Sequence, residues 1–509
     1  MYPATFAASA PDRPAVVMAG SGEVVTYRQL DERSNRAAHL FRDLGLRPGD
    51  VVAICMENNA RYHEVYWGTR RSGLYVVPLN PALTPAEAGY VLADSGARVL
   101  VMSQATAGLA AGLTPDAAPG VATRLMIGPD LPGWDSYADA VASRPVTPID
   151  DECEGDLLQY SSGTTGRPKG IKREFRSQPI SLASDPTIAF LRAIGFEEGD
   201  VYLSPAPLYH TAPIVWSSAI HRVGGTSVVM ERFDAEQALG AIERHRVTHS
   251  LMVPTMFVRM LKLPAERRER WDVSSLRTVV HAAAPCPVEI KRAMIDWWGP
   301  ILSEFYSSSE LIGATFITTP EWLAHPGSVG RPMLGVPHVV GADGAELPTG
   351  GTGQIWFEGG RPFTYLHDET KTSEAFDARG WATVGDIGHL DEDGYLYLTD
   401  RTAFTIISGG VNIYPQEAEN LLVEHPAVLD AAVFGVPHPE MGEQVQAVVQ
   451  PVDWSRAGDD LEAELIEYCR SRLAGYKCPR SIDFARELPR SETGKLHKRA
   501  LQQEYRSRS

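Results

Sequence analysis

The sequence predicts an α/β protein: a large amino-terminal domain of layered sheets and helices with a small β subdomain, followed by a carboxy-terminal α+β domain. Helical and strand patterns alternate over residues 1–150, which is typical of parallel sheets flanked by helices. From Gly341 the pattern changes to Gly-rich short strands, which indicates a small antiparallel subdomain of hairpins. The last part of the chain mixes helices with strands over about 110 residues, a size that commonly folds independently.

The amino-terminal alternation begins with a helix over residues 27–44, where apolar side chains recur at helical spacing. Apolar runs predict strands at 50–56, 74–79 and 98–102, with a helix from Pro85 between the last two. A strand, a helix and a second strand in this order imply a parallel sheet with helices on its faces.

The same alternation continues through the middle of the chain. Residues 157–160 predict a short strand that leads into a loop of Ser, Thr and Gly. The remaining predicted elements of this part are strands at 201–203, 226–230, 249–253 and 278–282 and helices at 235–245 and 288–297.

A domain boundary is predicted after Asp400, so that residues 1–400 form one domain and residues 401–509 the other. A basic tail follows from Arg480, and a solvated charged face is its plain explanation. The carboxy-terminal domain is expected to hold helices at 415–424 and 461–473 and strands at 428–436 and 444–450.

Composition excludes several classes of protein. The 509 residues carry a formal net charge of -17, which disfavours nucleic acid and an anionic membrane surface as partners. The sequence has no run of about 20 apolar residues, so no membrane span is expected. The first residues lack the basic start and apolar stretch of a signal peptide. The five cysteines are widely spaced without a CxxC pair, which favours reduced thiols in a cytoplasm.

The most informative segment is the loop Tyr160–Gly170, with sequence YSSGTTGRPKG. Its glycines and hydroxyl side chains leave backbone N–H groups open to wrap phosphates, with Lys169 as a local cation. The spacing is not that of a Walker A loop, which argues against a P-loop NTPase. Composition alone also allows a surface loop after a strand.

This loop resembles the phosphate-loop signature of the adenylate-forming superfamily, which contains acyl-CoA synthetases, the adenylation domains of peptide synthetases, and luciferases. Further segments match in the family's order, within 281–286, 304–310, 381–401 and 488–498. The resemblance implies a mobile carboxy-terminal domain, with ATP and Mg²⁺ bound at the active site. It assigns phosphate contacts to Ser161, Ser162, Gly163, Thr164, Thr165, Gly166 and Lys169.

Two segments resemble the family's adenine site. The small residues of HAAAPC, at 281–286, permit the close approach of a flat ring, although a tight strand-to-helix turn would look the same. The resemblance implies that Tyr306 stacks on adenine and that Glu310 binds Mg²⁺, a cation that prefers oxygen ligands. The other residues assigned to this part of the ATP site are Ala283, Ala284, Pro285 and Ser309.

The resemblance also predicts an acyl pocket with one departure from the family pattern. Ser307 stands where the family usually has Gly beside the acyl group, so its side chain is expected to shrink or reshape the pocket. His210 is expected to orient the carboxylate or to gate entry of the nucleophile, unless it is a packed histidine beside a turn. The other predicted lining residues are His281 and, with ordinary core packing as an equal alternative, Trp216, Met252 and Leu311.

Three charged residues are assigned to the nucleotide and to catalysis by the same resemblance. Asp386 accepts hydrogen bonds from both ribose hydroxyls, as one carboxylate can, and Arg401 donates to the same ribose. Lys495 bridges the substrate carboxylate and the α-phosphate. Because charge builds on the phosphate oxygens during attack, this cation stabilises the transition state more than the ground state.

The segment after Arg401 is expected to move between the two half-reactions. The family hinge falls at Ala403, where Asp or Lys is usual, and Ala does not forbid the backbone rotation. After that rotation the glycine loop would line a tunnel for the incoming nucleophile. The tunnel residues are Ser408, Gly409 and Gly410.

The predicted activity is therefore activation of a carboxylic acid, aromatic or otherwise compact, as acyl-AMP with release of pyrophosphate. The acyl group then passes to the thiol of coenzyme A or, alternatively, directly to an amine, as in amide bond synthetases of secondary metabolism. A catalytically silent nucleotide sensor is disfavoured, because Lys495, Glu310, Asp386 and Arg401 are all present. The oligomeric state and the identity of the acid stay open.

Overall fold

The computed structural model describes residues 1–161, 168–175, 178–182, 185–401, 404–408, 411–490 and 496–508. The chain is of the mixed α/β class that the sequence predicts. Among the described residues, no helix is both long enough and apolar enough to span a bilayer. The chain divides into two compact units, the first made of Met1–Leu251, Glu269–Val279 and Pro362–Glu374 and the second of Met252–Arg268, Val280–Arg361 and Ala375–Ser509.

Most strands are short runs of apolar and β-branched residues. In chain order they are β1 (Pro14–Met18), β2 (Val24–Thr26), β3 (Val51–Cys55), β4 (Tyr75–Pro78), β5 (Ala97–Ser103), β6 (Thr123–Ile127), β7 (Asp135–Ser136), β8 (Asp156–Leu157), β9 (Gln159–Ser161), β10 (Lys169–Lys172), β11 (Val201–Ser204), β12 (Thr226–Val229), β13 (His249–Met252), β14 (Thr278–His281), β15 (Leu302–Ser307), β16 (Ala314–Ile317), β17 (Arg331–Leu334), β18 (Val336–Val340), β19 (Gly353–Glu358), β20 (Thr364–Tyr365), β21 (Asp386–Leu390), β22 (Leu396–Arg401), β23 (Ile406–Ser408), β24 (Val411–Ile413), β25 (Val428–His438), β26 (Gly442–Pro451) and β27 (Ser481–Phe484).

Several helices begin at capping boxes, such as those of Thr26 with Gln29 and Thr84 with Glu87, the latter followed by Pro85 at the first helical position. In chain order the helices are α1 (Pro3–Ser9), α2 (Tyr27–Asp43), α3 (Tyr62–Arg71), α4 (Pro85–Ser95), α5 (Ala107–Gly112), α6 (Tyr137–Ala142), α7 (Pro186–Ala193), α8 (Thr211–Arg222), α9 (Ala235–His245), α10 (Pro254–Leu261), α11 (Ala265–Arg268), α12 (Val288–Trp298), α13 (Thr319–Ala324), α14 (Glu369–Glu374), α15 (Pro415–Glu424), α16 (Asp459–Arg470) and α17 (Lys498–Arg508).

The first unit contains a parallel sheet in the order β7-β6-β5-β3-β4-β8. Its central strand β3 pairs with β4 on one side and β5 on the other, both in parallel. All five residues of β3 are buried, as expected for a strand covered on both faces. The predicted alternation of strands and helices over residues 1–150 is confirmed.

A second sheet of this unit holds β11 between β12 and β13, with β1 beside β12, and these neighbours are parallel. An antiparallel hairpin of β1 and β2 closes its edge, and sequence analysis missed this hairpin. Its turn is held by the Glu231 carboxylate, which accepts from the backbone N–H groups of Gly20 at 2.8 Å and Ser21 at 2.9 Å.

The strand expected at residues 157–160 is split between two sheets. β8 ends at Leu157 and pairs in parallel with β4, whereas β9 begins at Gln159 and pairs antiparallel with β10. A local sequence pattern cannot separate the two strands, because only Leu158 lies between them. The hairpin of β9 and β10 brackets the predicted phosphate loop, and Lys169 lies opposite Ser161 in its register.

In the second unit, β15, β16 and β17 form an antiparallel ribbon. A separate antiparallel sheet has the order β18-β19-β21-β22, which confirms the small β subdomain. The subdomain begins at Val336 rather than at Gly341, because β18 precedes the glycine-rich turns. A Cβ added to Gly313 would lie 2.0 Å from Cδ1 of Phe357 on β19, so only glycine fits there.

The carboxy-terminal part of the second unit has its own core on both faces of a sheet ordered β24-β23-β26-β25, with β27 beside β26. Alternate residues of β25 serve the two faces, as strand geometry requires. Ala431 and Val433 pack in a cluster with residues of α15 and α16. Ala432 and Phe434 pack on the other face with Leu501 of α17.

Candidate active site

Two of the predicted nucleotide residues, Tyr306 and Asp386, are in direct contact. The Tyr306 hydroxyl donates to Oδ2 of Asp386 at 2.5 Å. Tyr306 lies near the end of β15, and Asp386 begins β21, where its side chain is buried. Two motifs that are 80 residues apart in sequence therefore meet. The predicted adenine-stacking residue, Tyr306, is hydrogen-bonded to the predicted ribose carboxylate, Asp386.

Strand pairing places Asp386 directly opposite Arg401. The two residues are Cα partners in the antiparallel register of β21 and β22, and facing residues on adjacent strands lie about 5 Å apart. The structure describes the backbone of Arg401 but not its side chain. Sequence analysis assigned both residues to the same ribose, and the register is compatible with that assignment.

Ser307 ends β15, and the turn that follows carries Glu310 and Leu311. The Ser307 hydroxyl donates to the carbonyl oxygen of Gly313 at 2.8 Å, across the turn. Leu311 has a φ of 56°, a left-handed conformation that is uncommon for a branched residue and is often found at functional sites. Glu310 precedes it and is buried. Serine at position 307, where the family usually has glycine, thus adds a hydrogen bond across the turn.

The segment after β14 is the predicted adenine wall. Ala283 has a φ of 73°, again in the left-handed region, and its strain is of order 1–2 kcal/mol for a residue with a Cβ. The N–H of Ala282 donates to the carbonyl of Met252 at 3.3 Å. Met252 and His281 are both buried. The backbone here follows a sharp path that regular secondary structure would not give.

A buried ion pair behind these segments was missed by sequence analysis. Nζ of Lys291, on α12, donates to Oε2 of Glu304, on β15, at 2.7 Å, and both side chains are buried. Nε2 of His281 lies 3.4 Å from the same carboxylate oxygen. Burial raises the pKa of Glu304, and Lys291 opposes that rise. No local motif marks this arrangement, since Lys291, Glu304 and His281 lie on three different elements.

In the first unit, Lys169 lies on the hairpin that brackets the phosphate loop. Its Nζ is 3.9 Å from Oδ2 of Asp368 and 5.5 Å from the centre of the Tyr365 ring. Burial and the charge of Lys371 lower the pKa of Lys169. A partly desolvated ammonium on a glycine-rich hairpin is suited to an anionic ligand.

The predicted acyl-pocket residues of this unit lie on or beside α8. His210 is the N-cap residue of this helix, and its ring lies 4.3 Å from that of Tyr209, centre to centre. The hydroxyl of Thr211 donates to Oε1 of Gln159 at 2.6 Å, which links α8 to β9. Trp216 is buried and stacks on Tyr202 with ring centres 6.1 Å apart, as an aromatic core residue also would.

Comparison with known protein families agrees with this geometry. A model described as AMP-binding enzyme matches residues 4–364, and a model described as AMP-binding enzyme C-terminal domain matches residues 417–495. The chain belongs to the AMP-binding enzyme family. It is an ATP-dependent, adenylate-forming ligase, and the resemblance found in its motifs is confirmed.

Relatives of this AMP-binding enzyme match it along nearly the whole chain. It is 34% identical over 495 residues to a feruloyl-CoA synthase of Amycolatopsis sp, with 96% of each chain covered. It is 30% identical over 486 residues to the long-chain-fatty-acid–CoA ligase FadD13 of Mycobacterium tuberculosis, covering 94% of this chain and 93% of that one. Among solved structures, it is similar to the amide bond synthetase McbA from Marinactinospora thermotolerans, at 28% identity and a TM-score of 0.80, covering 97% and 98% of the two chains.

Several predicted site residues of this enzyme lie outside the described residues. Of Ser161, as of Arg401, only the backbone is described, whereas Ser408 is described in full and faces Val411 and Gly442 in its register. The roles of all these residues stay predictions. Those outside the described residues are Ser162, Gly163, Thr164, Thr165, Gly166, Ala403, Gly409, Gly410 and Lys495.

Within the part of the chain that the structure describes, no group of three or more His, Cys, Asp or Glu residues is placed to hold a metal ion. This arrangement is compatible with Mg²⁺, which usually binds through one or two carboxylates together with substrate phosphates and water. Glu310, a buried carboxylate at the tip of the turn after β15, has the donor chemistry for that part.

Proposed function

We propose that the enzyme joins a carboxylic acid and ATP into acyl-AMP with release of pyrophosphate, and then passes the acyl group to the thiol of coenzyme A. The observation that carries the first step is the contact between Tyr306 and Asp386, which assembles a nucleotide wall from two family motifs. Asp386 is then available to the ribose, and Tyr306 to the purine face. None of the five cysteines forms a disulfide, which suits the cytoplasm, the compartment that we propose.

In the first step, the enzyme must stabilise the negative charge that builds on the phosphate oxygens. The substrate carboxylate attacks the α-phosphate, and the bond from that phosphate to the pyrophosphate group breaks. Lys495 stabilises the negative charge that builds on the equatorial oxygens, and Lys169 holds the departing phosphates. Glu310 would hold Mg²⁺, which neutralises phosphate charge. His210 orients the carboxylate before attack.

We propose that residues 401–509 form a domain that rotates about Ala403 between the two steps. Two features support this. The buried cluster that unites β23–β27 with α15 and α16 is built only from residues after 400, and a separate family model begins at residue 417. A segment with its own core can move as a body, which is the usual structural basis of domain rotation.

The second step has two candidates, each supported by relatives of this enzyme. The feruloyl-CoA synthase and the fatty-acid ligase pass their acyl groups to coenzyme A, as their names state. An amide bond synthetase has a similar structure, which keeps direct transfer to an amine as the second candidate. We favour the thiol, because the names of both relatives, which are 34% and 30% identical to this chain, state transfer to coenzyme A.

We further propose that the acid is aromatic or otherwise compact. The support is Ser307, whose hydroxyl is held by the Gly313 carbonyl and whose side chain occupies space that a glycine would leave empty. A pocket that has lost the volume of a hydroxymethyl group excludes bulky chains near the carboxylate. A flat ring keeps its full contact area in such a space.

Product analysis by mass spectrometry tests the second step. The enzyme would be given ATP, Mg²⁺ and a panel of aromatic and aliphatic acids, with either coenzyme A alone or simple amines alone. Thioester with coenzyme A and no amide with amines is the expected result. Amide formed without coenzyme A, together with no thioester, would establish the amine as the acceptor and overturn the proposed thiol transfer.

A further inference from the structure

A buried charge cluster lies behind the two segments that carry the predicted adenine contacts. It consists of Lys291, Glu304 and His281. The Lys291 ammonium donates to Oε2 of Glu304 at 2.7 Å, and Nε2 of His281 is 3.4 Å from the same oxygen. The side chains of Lys291 and His281 have no exposed surface, and that of Glu304 is 8% exposed. In this structure Lys291 and His281 are therefore shielded from solvent, and Glu304 almost completely so.

The cluster joins the pieces of backbone that form the adenine site. His281 immediately precedes the segment Ala282–Cys286, and Lys291 lies on α12, the helix that follows it. Glu304 is two residues before Tyr306 on β15. Because side chains alternate across a strand, Glu304 and Tyr306 project from the same face. The position of Tyr306 relative to the adenine segment therefore depends on how Glu304 meets Lys291.

Stability alone does not explain this pair. A buried ion pair is often no more stabilising than apolar side chains of the same volume, because desolvation offsets the Coulomb attraction. The pair instead fixes the relative positions of the elements that carry it. The ammonium of Lys291 is fixed between Glu304 and the ring of Trp322, whose centre is 4.8 Å away. Satisfied polar contacts of this kind restrict the spacing of α12 and β15 more than apolar contacts do.

His281 completes the cluster as a neutral group. Burial and the charge of Lys291 lower its pKa well below the usual range of histidine. Its ring nitrogens have no hydrogen-bond partner within the described residues, and buried polar atoms rarely lack one. The ring stands edge-on to Phe257, with ring centres 5.5 Å apart. The neutral His281 ring therefore packs beside the Glu304 carboxylate and adds no positive charge to the pair.

We propose that Lys291 and Glu304, with His281 beside them, form a positioning cluster that sets the width of the adenine slot between Ala282–Cys286 and Tyr306. This inference rests on the proposed binding of ATP at these segments. A displaced wall loses contact with the nucleotide in the ground state and the transition state alike, which raises the KM for ATP and leaves kcat nearly unchanged. Loss of the ion pair is therefore expected to weaken the binding of ATP and to leave the binding of the acid unchanged.

The test is Lys291→Met, which keeps an unbranched side chain only one atom shorter and removes its charge. We expect the KM for ATP to rise about tenfold, with kcat and the KM for the acid each within about threefold of the starting enzyme. Lys291→Arg, which keeps the charge, is expected to restore most of the KM for ATP. Glu304→Gln is the second variant, and it tests the same pair from the other side if Lys291→Met does not fold.

Arg222→Met is the matched control for lost stability. Arg222 is equally buried, in the other unit, and donates to Glu154 at 2.6 and 2.7 Å. Its replacement also leaves a buried carboxylate without one of its partners. We expect a lower melting temperature and an unchanged KM for ATP. A rise in that KM equal to that of Lys291→Met would show that lost stability explains both, and would overturn the positioning role.

Tyr306→Ala separates failure of the cluster from failure of the site. If Tyr306→Ala leaves the KM for ATP unchanged, adenine does not bind at this wall, and the proposed site itself is wrong. If Tyr306→Ala raises that KM but neither Lys291→Met nor Glu304→Gln does, the site stands and the positioning role is wrong. A rise in all three variants, with none in Arg222→Met, supports both.

Discussion

At the scale of single residues, the local motifs of the sequence predicted the chemistry but not the support behind it. Tyr306 and Asp386 stand in motifs that can be read along the chain, and the structure brings them to 2.5 Å. Lys291 and Glu304 are 13 residues apart with no motif around them. Their pairing depends on how α12 packs against β15, which a local pattern does not contain.

Asp386→Asn tests the proposed ribose contact. The amide oxygen can still accept from one hydroxyl, but the second acceptor is replaced by a donor and the charge is lost. We expect kcat/KM for ATP to fall about 100-fold, in line with the loss of about 2–3 kcal/mol for hydrogen bonds to a charged group. Steady-state pyrophosphate release with ATP and with 2′-deoxy-ATP measures the effect. Undiminished preference of the variant for ATP over 2′-deoxy-ATP would contradict the contact.

Ser307→Gly tests the restriction of the acyl pocket. Removing the hydroxymethyl group opens space, so bulkier acids should gain about tenfold in kcat/KM relative to compact ones, the typical worth of about one methylene in a pocket. Ser307→Ala is the control, because it removes the hydrogen bond to Gly313 and keeps most of the volume. Equal acid profiles for the glycine variant and the starting enzyme would mean that this side chain does not face the acid.

Lys495→Ala tests the assignment of the catalytic cation. Loss of one transition-state donor typically costs on the order of 10²–10³ in rate, and we expect that loss in pyrophosphate release. Consumption of chemically supplied acyl-adenylate by coenzyme A should stay within about threefold, because that step makes no new bond to phosphorus. Normal pyrophosphate release by the variant would show that another group supports adenylation.

At the scale of elements, strands and helices were predicted well where their signal is local. The bounds of α2, α9, α12 and α15 agree with their predictions within one or two residues. The hairpin of β1 and β2 was missed, although Val16-Val17 and Val24-Val25 flank a turn of Gly20, Ser21 and Gly22. The split of β8 from β9 could not be predicted, because it reflects membership of two sheets rather than a change in pattern.

A buried histidine on α8 makes the first unit sensitive to acid. Nδ1 of His221 accepts from Nε1 of Trp67 at 3.1 Å, and Nε2 lies 3.1 Å from the carbonyl of Ala15. Burial lowers the pKa of His221 to about 3. Since the unfolded chain binds this proton below about pH 6.5, the stabilisation is complete above that pH and is lost as pH falls towards 3.

His221→Gln measures this contribution. A glutamine amide can accept from Trp67 and donate to Ala15 without titrating. We expect the starting enzyme to have the higher melting temperature at pH 7.5 and to lose that advantage steadily towards pH 5. A difference in melting temperature that stays constant over this range would show that the histidine does not titrate between the folded and unfolded states.

At the scale of the whole molecule, the order of the motifs and the two family models describe one ligase along the chain. Sequence alone predicted the α/β class, whereas the boundary that separates residues 401–509 as a domain stays a prediction. The nature of the acceptor is not encoded in those features, because coenzyme A ligases and an amide bond synthetase have the same fold and similar sequences. The difference must lie in the few side chains that face the acceptor.

The central claim is that the carboxylate is activated as an adenylate, and transfer of ¹⁸O from the acid tests it most directly. The enzyme would be incubated with ATP, Mg²⁺, coenzyme A and an acid labelled with ¹⁸O in its carboxylate, and the nucleotide products analysed by mass spectrometry. Attack of the carboxylate on the α-phosphate predicts that each AMP formed carries one ¹⁸O atom, with unlabelled pyrophosphate. Label in inorganic phosphate, with ADP as the nucleotide product, would contradict the account.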